Sequence, residues 1–122
     1  MSGGSLEYIS SRIDDAVTKV KEWLAEEERM LEHKEYSAPH PYYVEHFPDH
    51  PIFKDKTGRA LQERVIINMK DAIYHLRMAA MYAHEVEWFT SDDNGPESFC
   101  LDVETEIAKM DYEQEVRNDD RR

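Results

Sequence analysis

The stretch from residue 58 to residue 90 constrains the fold most, because its apolar side chains recur at the spacing of helical faces. One series follows the alternating steps of four and three of a heptad seam: Val65, Met69, Ala72, Leu76, Ala79, Ala83 and Val86. Two further series repeat every seven residues on neighbouring faces: Ile67, Tyr74, Met81 and Trp88, and beside them Ile66, Ile73 and Ala80. This pattern predicts a central helix that packs on two sides, or one that forms a homodimer seam.

Two other long helices are predicted around this one. Ser5 is a suitable N-cap, and apolar residues at steps of three and four after it predict helix 1 over residues 6–34. Turn-forming residues from Ser91 to Pro96 end helix 2. A shorter apolar series then predicts helix 3 over residues 96–112, followed by an acidic tail over 113–122.

Residues 36–57 lie between helices 1 and 2 and contain four of the chain's five prolines. The aromatic residues of the segment are too apolar for a free linker, so we expect an ordered Pro/aromatic loop packed on the helices: Tyr42, Tyr43, Phe47 and Phe53. No strand-like alternation is present in the 122 residues. The chain is therefore predicted to be a single all-α domain, an antiparallel three-helix bundle with a long central helix.

The charge of the chain restricts its partners. The formal net charge is −12, and residues 92–122 carry eleven acids against four bases. Such a field repels nucleic acid and anionic lipid, so we expect no direct nucleic-acid binding, and it favours partners with a basic surface. The alternative interpretation of the acidic run is a solvated face that confers solubility.

The compartment is predicted to be the cytoplasm. No apolar run approaches the roughly 18 residues that a bilayer-spanning helix needs, so no membrane association is expected. The N-terminus MSGGSLEY has neither a basic region nor an apolar region typical of a secretion signal. Cys100 is the single cysteine, which excludes an internal disulfide and agrees with a reducing environment.

The candidate site lies where helix 2 ends. This end combines polar and aromatic groups that a packed scaffold would present together: His84, Glu87, Trp88, Ser91 and Asp93. No catalytic motif is completed there, so no catalytic residue is predicted. The alternative interpretation is a capped helix end in which Glu87 binds a backbone amide or an arginine, and carboxylates of that kind outnumber catalytic ones.

The six histidines suggest a metal site, but the spacing does not support one. No histidine follows a glutamate by three residues, as carboxylate-bridged di-iron bundles require, and His84 begins no His-Glu-x-x-His motif because Trp88 stands at its last position. The loop run His40, Glu45, His46, Asp49 and His50 is the remaining candidate, and structural histidines are commoner. We therefore predict no metal and no cofactor.

Two segments of the chain match a known pattern. The opening MSGGSxxY is matched by Ser2, Gly3, Gly4, Ser5 and Tyr8, and a segment reading HDIEWxxSxD is matched by HEVEWFTSDD, residues 84–93. In both respects the chain resembles an uncharacterised family of short phage and prophage proteins. Departures from its pattern are Glu85 for Asp and Val86 for Ile, and Asn94 for the aromatic residue of the aromatic-Gly-Pro turn that follows the second segment. The resemblance implies that the SGGS leader is native and shares one surface with the end of helix 2. It implies no activity.

Three functions follow from these observations. The first is a small non-enzymatic binding protein, a phage-encoded accessory factor that inhibits or modulates a host defence protein. The second is a sponge for a nucleotide or other small anion, in which Ser2 to Ser5 form an amide nest. Composition equally allows that segment to be a flexible leader. The third is a metal enzyme that uses His84, Glu87 and Asp93. We expect the first, acting as a homodimer.

Overall fold

The structure, a computed structural model, describes the backbone of residues 5–91 and 95–119 and the side chains of residues 8–91 and 95–114. Within these ranges every regular element is a helix: α1 (Ser5–Glu32), α2 (Pro41–His46), α3 (Pro51–Lys54), α4 (Arg59–Thr90) and α5 (Pro96–Asp119). The all-α prediction is confirmed. Two short helices lie in the segment expected to be a loop, and the antiparallel three-helix bundle stays a prediction.

The chain divides into two compact units. Unit 1 comprises residues 1–18 and 73–122, and unit 2 comprises residues 19–72. Among the helices described, none combines the length and the apolar composition that a membrane crossing requires.

The core of unit 1 is formed by residues of α1, α4 and α5. Its buried residues are Ser10, Val17, Ile73, Ala80, Glu87 and Met110. Three of these residues lie on α4 and repeat every seven positions: Ile73, Ala80 and Glu87. The buried stripe therefore contains Ile73 and Ala80, whereas Ala79 of the predicted heptad seam is exposed. Seven residues are nearly two full helical turns, so such a stripe stays on one face.

Helix α5 continues beyond the predicted boundary at residue 112. Apolar spacing fails after Met110, yet the next turn of the helix has partners on α4 in the same unit. The hydroxyl of Tyr74 donates a hydrogen bond to the carboxylate of Asp111, and Arg77 forms an ion pair of 3.0 Å with Glu113. Polar contacts between helices thus accompany the extended helix where the apolar pattern ends.

The core of unit 2 joins α1 to α4. Leu24 and Ile66 are buried, and so is the polar Gln62. The amide nitrogen of Gln62 donates to the backbone oxygen of Glu27 at 3.1 Å and also to its carboxylate. Because a buried amide is costly without partners, this pairing fixes where the two helices meet.

Two His-Pro pairs begin the short helices of unit 2. The Nδ1 atom of His40 accepts the amide of Tyr42 at 3.1 Å, and that of His50 accepts the amide of Ile52 at 3.3 Å. Each proline then occupies the first turn, where a missing N–H costs nothing. Three aromatic rings of this segment lie together: the ring of Tyr43 stacks on those of Phe47 and Phe53 at centroid distances of 6.4 and 5.9 Å, and the rings of Phe47 and Phe53 are tilted at 6.3 Å.

Candidate functional site

Unit 1 contains an open groove of about 530 Å³. Three helices line it: Ser10, Ser11 and Asp14 from α1, Arg77, Ala80, Met81, His84 and Glu85 from α4, and Glu106 and Met110 from α5. We call it the acidic groove. Its volume lies within the range of roughly 300–1,000 Å³ that small-molecule sites occupy.

Helical spacing explains why α4 supplies so much of the wall. Arg77, Met81 and Glu85 follow one another at steps of four, and residues at this spacing lie on one face of a helix. Ser10 and Asp14 have the same spacing on α1. Three helices therefore present polar side chains to one space, with Met81 and Met110 as apolar parts of its lining.

The charge of the groove is predominantly negative. It has three carboxylates, on Asp14, Glu85 and Glu106, and one guanidinium, on Arg77. Arg77 already pairs with Glu113, and Glu106 pairs with Lys109 at 3.3 Å. Within residues 8–91 and 95–114, neither Asp14 nor Glu85 has an ion pair with a lysine or an arginine. The groove therefore has a local excess of negative charge.

The carboxyl of Glu85 is partly withdrawn from water and lies close to other acids. Burial raises the pKa of its carboxyl above the ordinary value of 4.5, the negative charges of Asp102 and Glu106 raise the pKa further, and His84 opposes them. A carboxylate surrounded in this way is stabilised by any cation that enters the groove.

Two of the predicted site residues border the groove. His84 lines it, and the ring of Trp88 lies against the ring of His84, with centroids 5.5 Å apart and planes inclined at 50°. Trp88 is 45% exposed. The structure thus brings these two predicted residues together on the accessible side of α4.

Glu87 and Ser91 form a second pair at the helix end. Glu87 was predicted to contribute to a binding surface, but its side chain is only 4% exposed. Its Oε2 atom accepts a hydrogen bond of 3.0 Å from the hydroxyl of Ser91, one turn later. Residue 87 lies on the buried stripe that also contains Ile73 and Ala80, so Glu87 is not displayed at the surface, and its part in a binding site stays a prediction.

The predicted N-terminal part of the site falls mainly outside the described residues. Ser2, Gly3, Gly4 and Asp93 lie outside them, and Ser5 is described only as the first residue of α1. The shared surface between the leader and the end of α4 stays a prediction.

Tyr8 is the predicted N-terminal residue whose side chain is described, and it is exposed. Its hydroxyl accepts a hydrogen bond of 3.0 Å from Arg12, whose guanidinium also lies 5.6 Å from the centre of the ring. Tyr8 does not line the acidic groove.

Sequence reasoning missed Ser10, Asp14 and Glu106 as groove residues. Ser10 carries a signal, since it stands seven residues before the apolar Val17 and so interrupts a stripe with a polar group. Asp14 and Glu106 carry none, because their positions in the sequence do not indicate which helices converge.

In the part of the chain whose side chains are described, no three histidine, cysteine, aspartate or glutamate side chains are placed to hold a metal ion. Comparison of the chain with protein-family models, curated proteins and solved structures finds no match. The resemblance to phage proteins stays a prediction.

Proposed function

We propose that the protein is a non-enzymatic binding protein whose acidic groove receives a basic side chain of a protein partner. The main support for this proposal is an observation on the groove: the carboxylates of Asp14 and Glu85 form no ion pair with a lysine or an arginine in the described part of the chain.

Charge complementarity supports a basic partner rather than an anionic ligand. The groove has more carboxylates than cationic groups, and the whole chain has a formal charge of −12. A nucleotide would encounter repulsion from both, whereas a basic protein is attracted at long range and its association is accelerated.

The biological setting follows from the phage resemblance and belongs to the same proposal. The protein is a phage-encoded accessory factor that acts in the host cytoplasm and inhibits or modulates a host defence protein by occupying its basic surface. The homodimer predicted from the apolar faces of α4 is part of this proposal, and sedimentation equilibrium of the purified chain tests it.

The groove is tested with a fluorescent oligo-lysine peptide, followed by anisotropy at several salt concentrations. Because any acidic protein attracts such a peptide, the decisive comparison is between two variants of equal charge. The double variant Asp14→Asn/Glu85→Gln removes two charges inside the groove. The control Asp15→Asn/Glu104→Gln removes two from exposed positions of α1 and α5 in the same unit that do not line the groove.

We expect the groove variant to weaken binding at least tenfold and the control variant less than threefold. Equal losses in the two variants, or no binding of either oligo-lysine or oligo-arginine to the wild-type chain, would overturn the proposal. A panel of linear and cyclic nucleotides in a thermal-shift assay tests the anion sponge, and stabilisation by a nucleotide that depends on Arg77 would favour that alternative instead.

A further inference from the structure

Trp88 continues the α4 wall of the acidic groove by one turn. The groove residues Arg77, Met81 and His84 precede it at steps of four, three and four, so Trp88 lies on the same side of the helix. The indole contacts the ring of His84 and leaves nearly half of its surface to solvent. An aromatic surface thus borders a negatively charged groove.

Glu85 is the carboxylate that α4 contributes to the lining of the groove. It stands three residues before Trp88, a spacing that brings two side chains to neighbouring positions on a helix. Burial and the nearby acids Asp102 and Glu106 raise the pKa of Glu85, so a cation in this position relieves an existing repulsion.

The combination of an indole and a carboxylate distinguishes between the two basic side chains. A guanidinium is planar and weakly hydrated, so it stacks on an aromatic ring while the N–H groups on its edge donate to a carboxylate. An ammonium is a compact, strongly hydrated charge and gains less from the ring.

We propose that the partner's side chain in the acidic groove is an arginine, whose guanidinium stacks on Trp88 and donates hydrogen bonds to Glu85. This inference rests on the proposed function and specifies the chemistry that the groove selects. Trp88 is then the residue that determines specificity, and Asp14 and Glu85 supply the charge that attracts either base.

The test uses two fluorescent peptides that differ only in carrying arginine or lysine at every basic position. Their affinities are measured by anisotropy for the wild-type chain and for Trp88→Leu, Trp88→Phe and Trp23→Leu. Trp23 is the matched control, since it is the chain's other tryptophan, is 58% exposed and lies on α1 in unit 2. Far-UV circular dichroism establishes that each variant is folded.

We expect the arginine peptide to bind the wild-type chain about fivefold more tightly than the lysine peptide, a ratio in the range of cation–π contacts. Trp88→Leu reduces the ratio to near one, Trp88→Phe retains part of it, and Trp23→Leu leaves it unchanged. In a Trp23→Phe background Trp88 is the sole tryptophan, so the arginine peptide should change its fluorescence directly.

The outcomes separate this inference from the one on which it rests. Equal binding of the two peptides to the wild-type chain, or an unchanged ratio in Trp88→Leu and Trp88→Phe, overturns the role of Trp88 and leaves the acidic groove in place. Failure of both peptides to bind overturns both proposals.

Discussion

The hydroxyl of Ser10 on α1 donates a hydrogen bond of 3.1 Å to the backbone oxygen of Ala80 on α4. Both residues are more than nine-tenths buried, so this bond forms inside the core of unit 1. The two residues also line the acidic groove. The same contact therefore helps to hold two walls of the groove at a defined distance.

Replacing Ser10 with alanine tests this contact. Ser10→Ala should lower the free energy of unfolding by about 1 kcal/mol, the usual net value of one intramolecular hydrogen bond. Ser11 is exposed on the same helix, and Ser11→Ala should change stability by less than about 0.5 kcal/mol. Urea denaturation measures both variants, and equal values for the two would show that the buried hydrogen bond contributes nothing.

Neutralising Glu85 should stabilise the chain. Because burial raises the pKa of Glu85 above 4.5, the folded chain binds a proton more readily than the unfolded chain. The charged form therefore reduces stability increasingly as pH rises from 4.5 through the raised pKa, and this loss is complete above it. At pH 7 we expect Glu85→Gln to raise the free energy of unfolding by less than about 1 kcal/mol, since the group is partly solvated.

The pH dependence distinguishes this effect from a general effect of net charge. The gain of Glu85→Gln should shrink below pH 4.5, where the wild-type carboxyl is already neutral. Glu104→Gln removes an equal charge from an exposed position of α5. It serves as the control in urea denaturation at pH 7 and at a pH below 4.5. A gain in Glu104→Gln equal to that in Glu85→Gln would refute the local explanation.

The helical class and the length of α4 were predictable from sequence because they depend on local periodicity. The expected helix over residues 58–90 matches Arg59–Thr90 closely, since apolar spacing and the turn after Ser91 are both local signals. Which stripe faces the core was not predictable. Three series of apolar residues run along α4, and the sequence does not show which of them is buried. The buried series continues to Glu87, and a pattern of hydrophobic residues does not predict a buried glutamate.

The acidic groove was only partly predictable. His84 and Glu85 belong to a dense polar segment that attracts attention in the sequence, and the structure places both in the groove. Asp14 and Glu106 come from other helices, and their approach depends on how α1 and α5 pack in unit 1. Sequence periodicity specifies the face of each helix but not which faces meet.

Gly58 should tolerate no side chain. Its φ is +93°, and a Cβ atom there would collide with the backbone oxygen of Ser37, which no side-chain rotation relieves. Gly58→Ala should therefore lower the free energy of unfolding by more than about 1 kcal/mol. Gly95 is the matched control, since a Cβ atom there makes only an ordinary contact with Glu97. If urea denaturation gives similar stabilities for Gly58→Ala and Gly95→Ala, the strain at Gly58 is absent.

Asp55 organises the turn that begins α4, and its removal should destabilise unit 2 in a pH-dependent way. Its carboxylate accepts the hydroxyl of Thr57 at 2.7 Å, the amide of Thr57 at 3.0 Å and the amide of Ala60 at 3.0 Å. The bonds from Thr57, and then that from Ala60, lower the pKa of Asp55 below its ordinary value of 3.8. The stabilisation is therefore complete above pH 3.8 and is lost as the pH falls through the lowered pKa.

Asp55→Ala should accordingly lower the urea midpoint at pH 7, and this effect should diminish as the pH falls below 3.8 and the wild-type carboxyl takes up a proton. Asp49→Ala removes an equivalent charge from an exposed residue of the same unit and controls for net charge. Asp55→Asn keeps an oxygen acceptor without the charge and should lie between Asp55→Ala and the wild-type chain. A midpoint of Asp55→Ala at pH 7 equal to that of Asp49→Ala would exclude these three hydrogen bonds as a source of stability.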